Sequence, residues 1–558
     1  MTSSAVGRGG KSAAAATPRL SFVLAALVAS LPWASPPAAA QTTRTVSNAN
    51  ELDNAWRSAQ PGDTIELRPG TYNLVFPVIL RQPGLTLRGS TGDADDVILV
   101  GGGMNTRGID EGVIVEADDV TVQDITISEF YYNGIHVRAE SDADRTWIHD
   151  VKTLNIGERH IKGSRIADPA KVSDDLVIER VRMTQNKPRQ GHADTSPNYI
   201  GGIDMMALRN PIIRDTLAEG IVGSQQGGNA AIFLWNGIQN ALIERNVIVG
   251  CAKGIALGNP YLPDDPTMLT YPWHAAGGLI RNNFILRGVW TTGNNISIEL
   301  ANTRDVKVFH NTIYSENASY FRAVSISDSE PSRGTTSNVS LAHNIVRGGF
   351  FTSTFSGGWS STGDIFDNTG TTVTPAWFAN PSVADFHLTA NAAAAIDRAA
   401  ALAEVTEDID GTLRPRGAAP DIGADEFEAS GPAAPTRLYT VPPCRIFDTR
   451  NPAGPWGGPA LAAGVSRNFS ISGRCGVPPT AKAVSVNLTV TQPSAAGNLR
   501  LYPGGSAVPL SSSINYSAGQ TRANNAIAAL GPGGILSIRS VQPSGTVQLI
   551  LDVNGYFE

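Results

Sequence analysis

Cysteine is nearly absent from this 558-residue chain. Three cysteines are too few for a disulfide-stapled scaffold. Charge is sparse as well. Asp, Glu, Lys and Arg make up 17% of the residues, against roughly 25% in ordinary globular domains. There is no basic excess, and the net charge of −7 argues against nucleic acid as a partner. Aromatic residues are 7%. No apolar run reaches the ~18 residues that a membrane-spanning helix requires, so no membrane span is expected. The sequence also lacks a nucleophile elbow, a zinc-helix motif, a P-loop and a dinucleotide fingerprint. What it has is turn chemistry. There are 57 glycines and 35 prolines, about a sixth of the chain, beside 41% hydrophobic residues. That balance excludes a disordered chain and suits an all-β protein of many short strands.

The first forty residues read as a secretory signal peptide. Arg8, Lys11 and Arg19 form a positive stretch, Leu20 to Leu31 is apolar, and Ala38-Ala39-Ala40 offers a cleavage site. The expected location is therefore outside the cell or on its surface.

Two phrases then alternate seven times each. The first contains Gly134-Ile135-His136, Ile161-Lys162-Gly163, Gly202-Ile203-Asp204, Ile232-Phe233-Leu234, Gly254-Ile255-Ala256, Ile298-Glu299-Leu300 and Val324-Ser325-Ile326. The second runs from Ile148-His149-Asp150 through Ile243-Glu244-Arg245-Asn246 to Leu341-Ala342-His343-Asn344. The shortest period, from Ile232 to Ile255, is 23 residues, and longer turns imply insertions. A period of this length with short β-branched strands predicts a right-handed parallel β-helix. Its isoleucines stack inward, and its outward residues form columns about 4.8 Å apart. In the second phrase one column reads Glu179, Arg214, Glu244, Arg281 and the next reads Asp150, Arg180, Asp215, Arg245. Opposite signs meet at each step, as a stacked sheet favours. Asn246, Asn283, Asn311 and Asn344 recur at one offset and read as an asparagine ladder, expected to take left-handed turn geometry and to bond their own turn backbones. A short helix from Ala49 to Ala59 is expected to cap the open end.

The opening Pro61-Gly62-Asp63-Thr64-Ile65 with Pro69-Gly70-Thr71-Tyr72 resembles that of secreted β-helix proteins of the pectate-lyase-like superfamily, including its chondroitinase-B and alginate-lyase families. The segment Asp408-Ile409-Asp410-Gly411, with Asp421-Ile422-Gly423-Ala424-Asp425-Glu426, resembles the tail that ends many bacterial proteins of this kind. The resemblance spans roughly residues 43–428. It implies the fold and a polysaccharide as partner. Lyases of that group use a Lys and an Arg, with calcium held by Asn and Glu. That constellation has no rung-by-rung match here, so no residue is carried over from it.

The sequence divides into the signal peptide (1–40), a β-helix domain (41–428), a Pro/Gly/Ala linker (429–435) and a C-terminal antiparallel β-sandwich (436–558). The last resembles a module of secreted bacterial proteins, through Pro443-Cys444-Arg445-Ile446-Phe447-Asp448-Thr449-Arg450 and Asp552-Val553-Asn554-Gly555-Tyr556-Phe557. Attachment to a cell surface or matrix, or carbohydrate binding, is its expected role, the alternative being a stabilising appendage. In a secreted context Cys444 and Cys475 are expected to pair. Cys251 reads as a core residue.

Candidate chemistry lies on the outward column of the first phrase. His136, Lys162 and Asp204 sit on adjacent rungs, with Arg138 and Trp235 two residues further along their strands. Long segments near 185–200 and 260–275, carrying His192, Asp194, Asp264, Asp265 and His274, are expected to wall a groove there. β-Elimination on a uronic acid needs a base, an acid for the leaving oxygen and a cation at the carboxylate. Lys162, His136 and Asp204 are the catalytic candidates, and Trp235, Arg138, His192 and His274 are the substrate-binding ones. Arg138, or Ca²⁺ held by Asp204, Asp264 and Asp265, is expected to neutralise the carboxylate. A neighbouring Asp204 should raise the Lys162 pKa. The alternatives are a glycoside hydrolase and a non-catalytic glycan binder. Asp204 and Glu299, three rungs or about 14 Å apart, are too distant for an inverting pair.

Overall fold

A computed structural model of the chain describes residues 41–190, 192, 195–259, 268–287, 296–320, 322–328, 334–353, 357–428, 437–506 and 508–558. The proposed signal peptide and the linker residues 429–435 lie outside the described residues, as do Asp194, Asp264 and Asp265. The chain divides into two compact units between Phe427 and Glu428.

The first unit is a right-handed parallel β-helix built from three sheets. The first sheet begins at Thr43–Val46 and ends at Trp359–Thr362. The second runs from Gly70–Asn73 to Ile365–Asp367, and the third from Val78–Leu80 to Phe350–Ser353. The repeated isoleucines set the register. Ile135, Ile161, Ile203, Ile232, Ile255 and Ile298 are successive partners in the third sheet and are fully buried. Each such side chain contributes about 1.5–3 kcal/mol of burial. The helix Ala49–Ser58 covers the open end with Leu52, Ala55 and Trp56, and the Asn48 side chain caps its first turn.

The three outer faces differ. The first sheet carries the charge columns. Arg214 pairs with Glu179 at 2.6 Å, Arg281 with Glu244 at 2.5 Å, Arg180 with Asp150 at 2.9 Å and Arg245 with Asp215 at 2.8 Å. The second sheet is covered by the tail. Phe284, Leu286 and Tyr314 pack against Trp377, Phe378 and Phe386 of the segment that follows the last rung. The third sheet is left to hold the site.

The asparagines do not take the left-handed geometry expected of them. The residue before each one does. Arg245, Asn282, His310 and His343 have φ between 50° and 56°. The asparagines instead point inward and bond along the stack. Asn246 Nδ2 donates to Asn283 Oδ1 at 3.0 Å, Asn283 to Asn311 at 2.8 Å, and Asn311 to Asn344 at 3.0 Å. The backbone N–H of each also donates to the next oxygen. A buried amide without partners is costly, so this ladder fixes register as firmly as the isoleucines do.

The second unit is all antiparallel. One sheet orders Leu438–Asp448, Thr546–Phe557, Ala483–Thr491 and Arg522–Ala529, with Leu461–Ala462 beside the second of these. The other orders Ser466–Ser470, Ile535–Val541, Gly497–Pro503 and Ile514–Tyr516. Its core includes Phe447, Phe469, Val486, Leu488 and Leu551. Cys444 and Cys475 form a disulfide. Cys251, in the first unit, is free and buried, and burial pushes its thiol up to about 12. No helix among the described residues is long and apolar enough to cross a membrane.

Candidate functional site

The outward column of the third sheet follows the register read from the sequence. His136 pairs with Lys162, Lys162 with Asp204, Asp204 with Phe233, Phe233 with Ala256 and Ala256 with Glu299. These six residues line one cavity of about 720 Å³. Tyr199, from the segment 185–200, and Met268, from the segment 260–275, line it too.

At its centre lies an ion cluster. Arg159, 1% exposed, donates through Nε to Asp204 Oδ2 at 2.5 Å. Lys162 Nζ lies 3.4 Å from the same oxygen. Trp235 Nε1 donates to Asp204 Oδ1 at 3.0 Å, and its ring stacks on Phe233. Burial works against the Asp204 charge, but Lys162, Arg159 and the Trp235 bond outweigh it and hold the carboxyl at about 2. Lys162 goes the other way from expectation. Burial lowers its proton affinity, Asp204 pulls it back up and Arg159 pushes it down, and the net direction is below the ordinary lysine range. Asp204 does raise the Lys162 pKa, as expected, but burial is the larger effect.

His136 is fixed at both nitrogens. Nδ1 lies 2.6 Å from Glu111 Oε1, and Nε2 lies 2.9 Å from Ser164 Oγ. At the far end, Lys253 Nζ lies 2.7 Å from Glu299 Oε2. Arg165 also lines the cavity.

Several expected residues are placed elsewhere. Asp204 is sealed at 2% exposure, with both oxygens accepting hydrogen bonds, so it positions Lys162 and transfers no proton itself. For the same reason the residues around it do not fit calcium: two cations and an indole already occupy the carboxylate. Arg138 pairs with Glu116 at 2.5 Å and Glu111 at 3.5 Å and lines a neighbouring cavity. His192 is buried; its Nε2 donates to the Met104 carbonyl at 2.9 Å and its ring stacks on Tyr131. His274 is fully buried, and its Nδ1 accepts from the Asn236 backbone N–H at 3.3 Å. Neither histidine lines the cavity that holds Lys162. Both bond to backbone, the ordinary fate of a buried histidine.

Arg159 was missed because it lies three residues off the column. The signal was present in its register partner. Gly201 stands opposite Arg159, and a Cβ there would come within 3.3 Å of the Arg159 side chain. The missing side chain leaves room for the guanidinium, which also lies 4.1 Å from the Tyr199 ring centroid.

A glycoside hydrolase would need a loop acid such as Asp194 or Asp264 to complete its pair of carboxyls, and both lie outside the described residues. Asp204 and Glu299 are three rungs apart, and each is paired with a cation.

No family model matches the chain, and no curated protein does. Among solved structures it is similar to an alginate lyase from Paenibacillus sp. str. FPU-7, at 15% identity over 58% of this chain and 99% of that one, with a TM-score of 0.30. It is similar to a polygalacturonase from Erwinia carotovora ssp. carotovora, at 12% identity over 57% and 94%, with a TM-score of 0.31. It is also similar to a tailspike protein of Acinetobacter baumannii bacteriophage Fri1, a capsular polysaccharide depolymerase, at 10% identity over 92% and 84%, with a TM-score of 0.28. At these values the likeness assigns no activity; the site is argued from its own residues.

Proposed function

We propose that the protein is a secreted polysaccharide lyase that cleaves a uronate-containing glycan by β-elimination, with Lys162 as general base. The observation that supports this reading is a lysine whose proton affinity is lowered by burial, opening on a cavity lined by further cations. Neutral Lys162 Nζ takes the proton from the carbon beside the uronate carboxylate. The freed electron pair forms a carbon–carbon double bond, and the bond to the leaving oxygen breaks. That oxygen takes a proton from the His136 imidazole, which Glu111 and Ser164 hold in place. Arg165 and Lys253, the latter paired with Glu299, are further cations on the cavity wall, where the carboxylate would lie. Secretion accords with the apolar leader and with the Cys444–Cys475 disulfide. The C-terminal sandwich serves attachment in this reading.

Incubation of the full chain with uronate polymers, followed by ultraviolet absorbance of unsaturated ends, tests the reading. Absorbance should rise and should be lost in Lys162→Ala. Reducing ends without absorbance would mean hydrolysis. Binding without either product would mean a non-catalytic module.

A further inference from the structure

The tail that covers the second sheet brings three ligand-bearing side chains together. His387 stands on the strand Asp385–Leu388, and its ring meets Phe284 of the second sheet edge-on, with centroids 5.3 Å apart. Asp410 comes from the turn 408–411 and Asp425 from the segment 421–427. One ligand atom from each of His387, Asp410 and Asp425 lies within 4.8 Å of the other two. His387 Nε2 is 3.0 Å from Asp410 Oδ2. An imidazole nitrogen and a carboxylate oxygen each bind zinc at about 2.0–2.2 Å, so two of them on one ion stand roughly 3–3.5 Å apart. Asp408 holds the two acidic segments in place. Its carboxylate accepts from the backbone N–H groups of Asp410 at 3.0 Å, Thr412 at 2.7 Å and Glu426 at 3.3 Å.

Two further observations point to a cation. The first is Asp425, which is 5% exposed. Its Oδ2 accepts from the Leu388 backbone N–H at 2.6 Å, while Oδ1 accepts no hydrogen bond and neither oxygen pairs with a Lys or Arg among the described residues. Arg414, in the same tail, is committed to Glu426 at 2.6 Å. A buried carboxylate is costly unless a cation or a metal ion answers it. His387, even when protonated, is a single charge facing Asp385, Asp410 and Asp425. The second observation is Asp385, whose Oδ1 lies 2.6 Å from His387 Nδ1. A carboxylate on that nitrogen favours the tautomer with its proton there. It orients the ring and turns the Nε2 lone pair towards Asp410, the arrangement in which a histidine binds metal.

We propose that His387, Asp410 and Asp425 form a binding site for one Zn²⁺ ion, with Asp385 as the outer carboxylate that orients His387. Ca²⁺ and Mg²⁺ take oxygen ligands, so an imidazole in the set disfavours them, whereas Zn²⁺ accepts nitrogen and carboxylate oxygen together. His387 and Asp410 have side-chain exposures of 41% and 59%, which leaves the ion open to water for its remaining position. The three ligands come from separate segments of the tail. A bound ion therefore clasps those segments to one another over Phe284 of the second sheet. None of these residues lines the cavity that holds Lys162, so the site is independent of the lyase reading.

The test is calorimetric titration of Zn²⁺ into the full chain after treatment with a chelator and its removal. Zn²⁺ should bind, and Ca²⁺ should bind at least about 10-fold more weakly. His387→Gln and Asp425→Asn should each weaken Zn²⁺ binding by at least about 10-fold. Asp385→Asn, which would not touch the ion, should weaken it by about 10–100-fold through the orientation of His387. Added Zn²⁺ should raise the thermal unfolding temperature of the wild type and not that of His387→Gln. Asp425 is buried, and its variant is the one most exposed to misfolding. His387 and Asp385, each with 41% side-chain exposure, carry the test in that case. X-ray absorption at the zinc edge of the loaded wild type should show the outer-shell scattering of an imidazole. No binding of Zn²⁺, an affinity unmoved by His387→Gln, an edge without imidazole, or Ca²⁺ bound as tightly as Zn²⁺ would each overturn the proposal.

Discussion

Two columns of ionisable residues run along this solenoid, on different sheets, and they behave differently. On the first sheet Asp150, Arg180, Asp215 and Arg245 alternate in sign and pair along the column, and Arg180 and Arg245 also reach Glu179 and Glu244. Asp150 and Arg180 are well exposed, with side-chain exposures of 39% and 45%. On the third sheet Asp204 is shared between Arg159 and Lys162, and the cluster is covered. The residue types are the same. What separates these residues is access to water. An exposed pair is worth about 0–1 kcal/mol because solvent screens it. A covered cluster with two cations on one carboxylate leaves a lysine that holds its proton poorly. A charged column is structural when its pairs stay in solvent. It becomes chemically poised when burial makes the partners compete.

The sharpest way to break this comparison is to remove the shared carboxylate. Asp204→Ala leaves Arg159 and Lys162 buried without their anion, and a loss of about 3–5 kcal/mol is expected in urea unfolding. Equal losses for Asp204→Ala and Asp150→Ala would erase the distinction. The second effect is on turnover. Lys162→Ala should lower kcat by about 10²–10⁴ on whichever polymer the absorbance assay identifies, the usual contribution of a proton-transfer group. In the wild type, activity should rise with pH along a limb below the ordinary lysine range, because burial favours the neutral amine.

A third test probes uncharged order. Asn283→Ala removes the link between Asn246 and Asn311 and leaves the buried Asn246 backbone N–H and side-chain amide without their acceptor. It should cost about 1–3 kcal/mol. The fourth concerns acid. Asp204 is held at about 2 against an ordinary 3.8. Its folded pKa is depressed, so its contribution is present above 3.8 and is lost as pH falls through about 2. Acid unfolding of Asp204→Asn should lack that part of the slope. The smallest effect belongs to the exposed column, where Asp150→Ala should shift stability by no more than about 1 kcal/mol.

The fold was legible because period and face agree. Ile135, Ile161, Ile203 and their successors recur at one place in the phrase, and only a stack of rungs buries them all. The position of the ionic cluster was legible for the same reason, since register alone puts His136, Lys162 and Asp204 side by side. Its chemistry was not. The Lys162 pKa depends first on burial, and then on Asp204 and on Arg159, whose side chain reaches the cluster from another column beside Gly201. His192 and His274 sit in segments that looked like loop walls, yet they turn inward to backbone partners. Sequence spacing says where a side chain starts; it does not say whether a loop folds over it. The left-handed residues were equally hidden. Arg180 and Arg245 take φ of 50° and 52° because the corner demands it, although nothing in arginine announces that geometry.

That corner has a consequence for how such a molecule can change. From Thr121 onward, two residues join every strand of the first sheet to the next strand of the second, and the first of the two is left-handed each time. The other two corners vary freely, from the single residue 302 to the seventeen of 258–274, and from the two of 348–349 to the sixteen of 185–200. Both variable corners border the third sheet. The invariant corner acts as a spine that tolerates duplication or deletion only of whole rungs. The loops beside the groove can lengthen or be exchanged without disturbing it. A lineage built on this plan can therefore revise what it grips while inheriting how it stands.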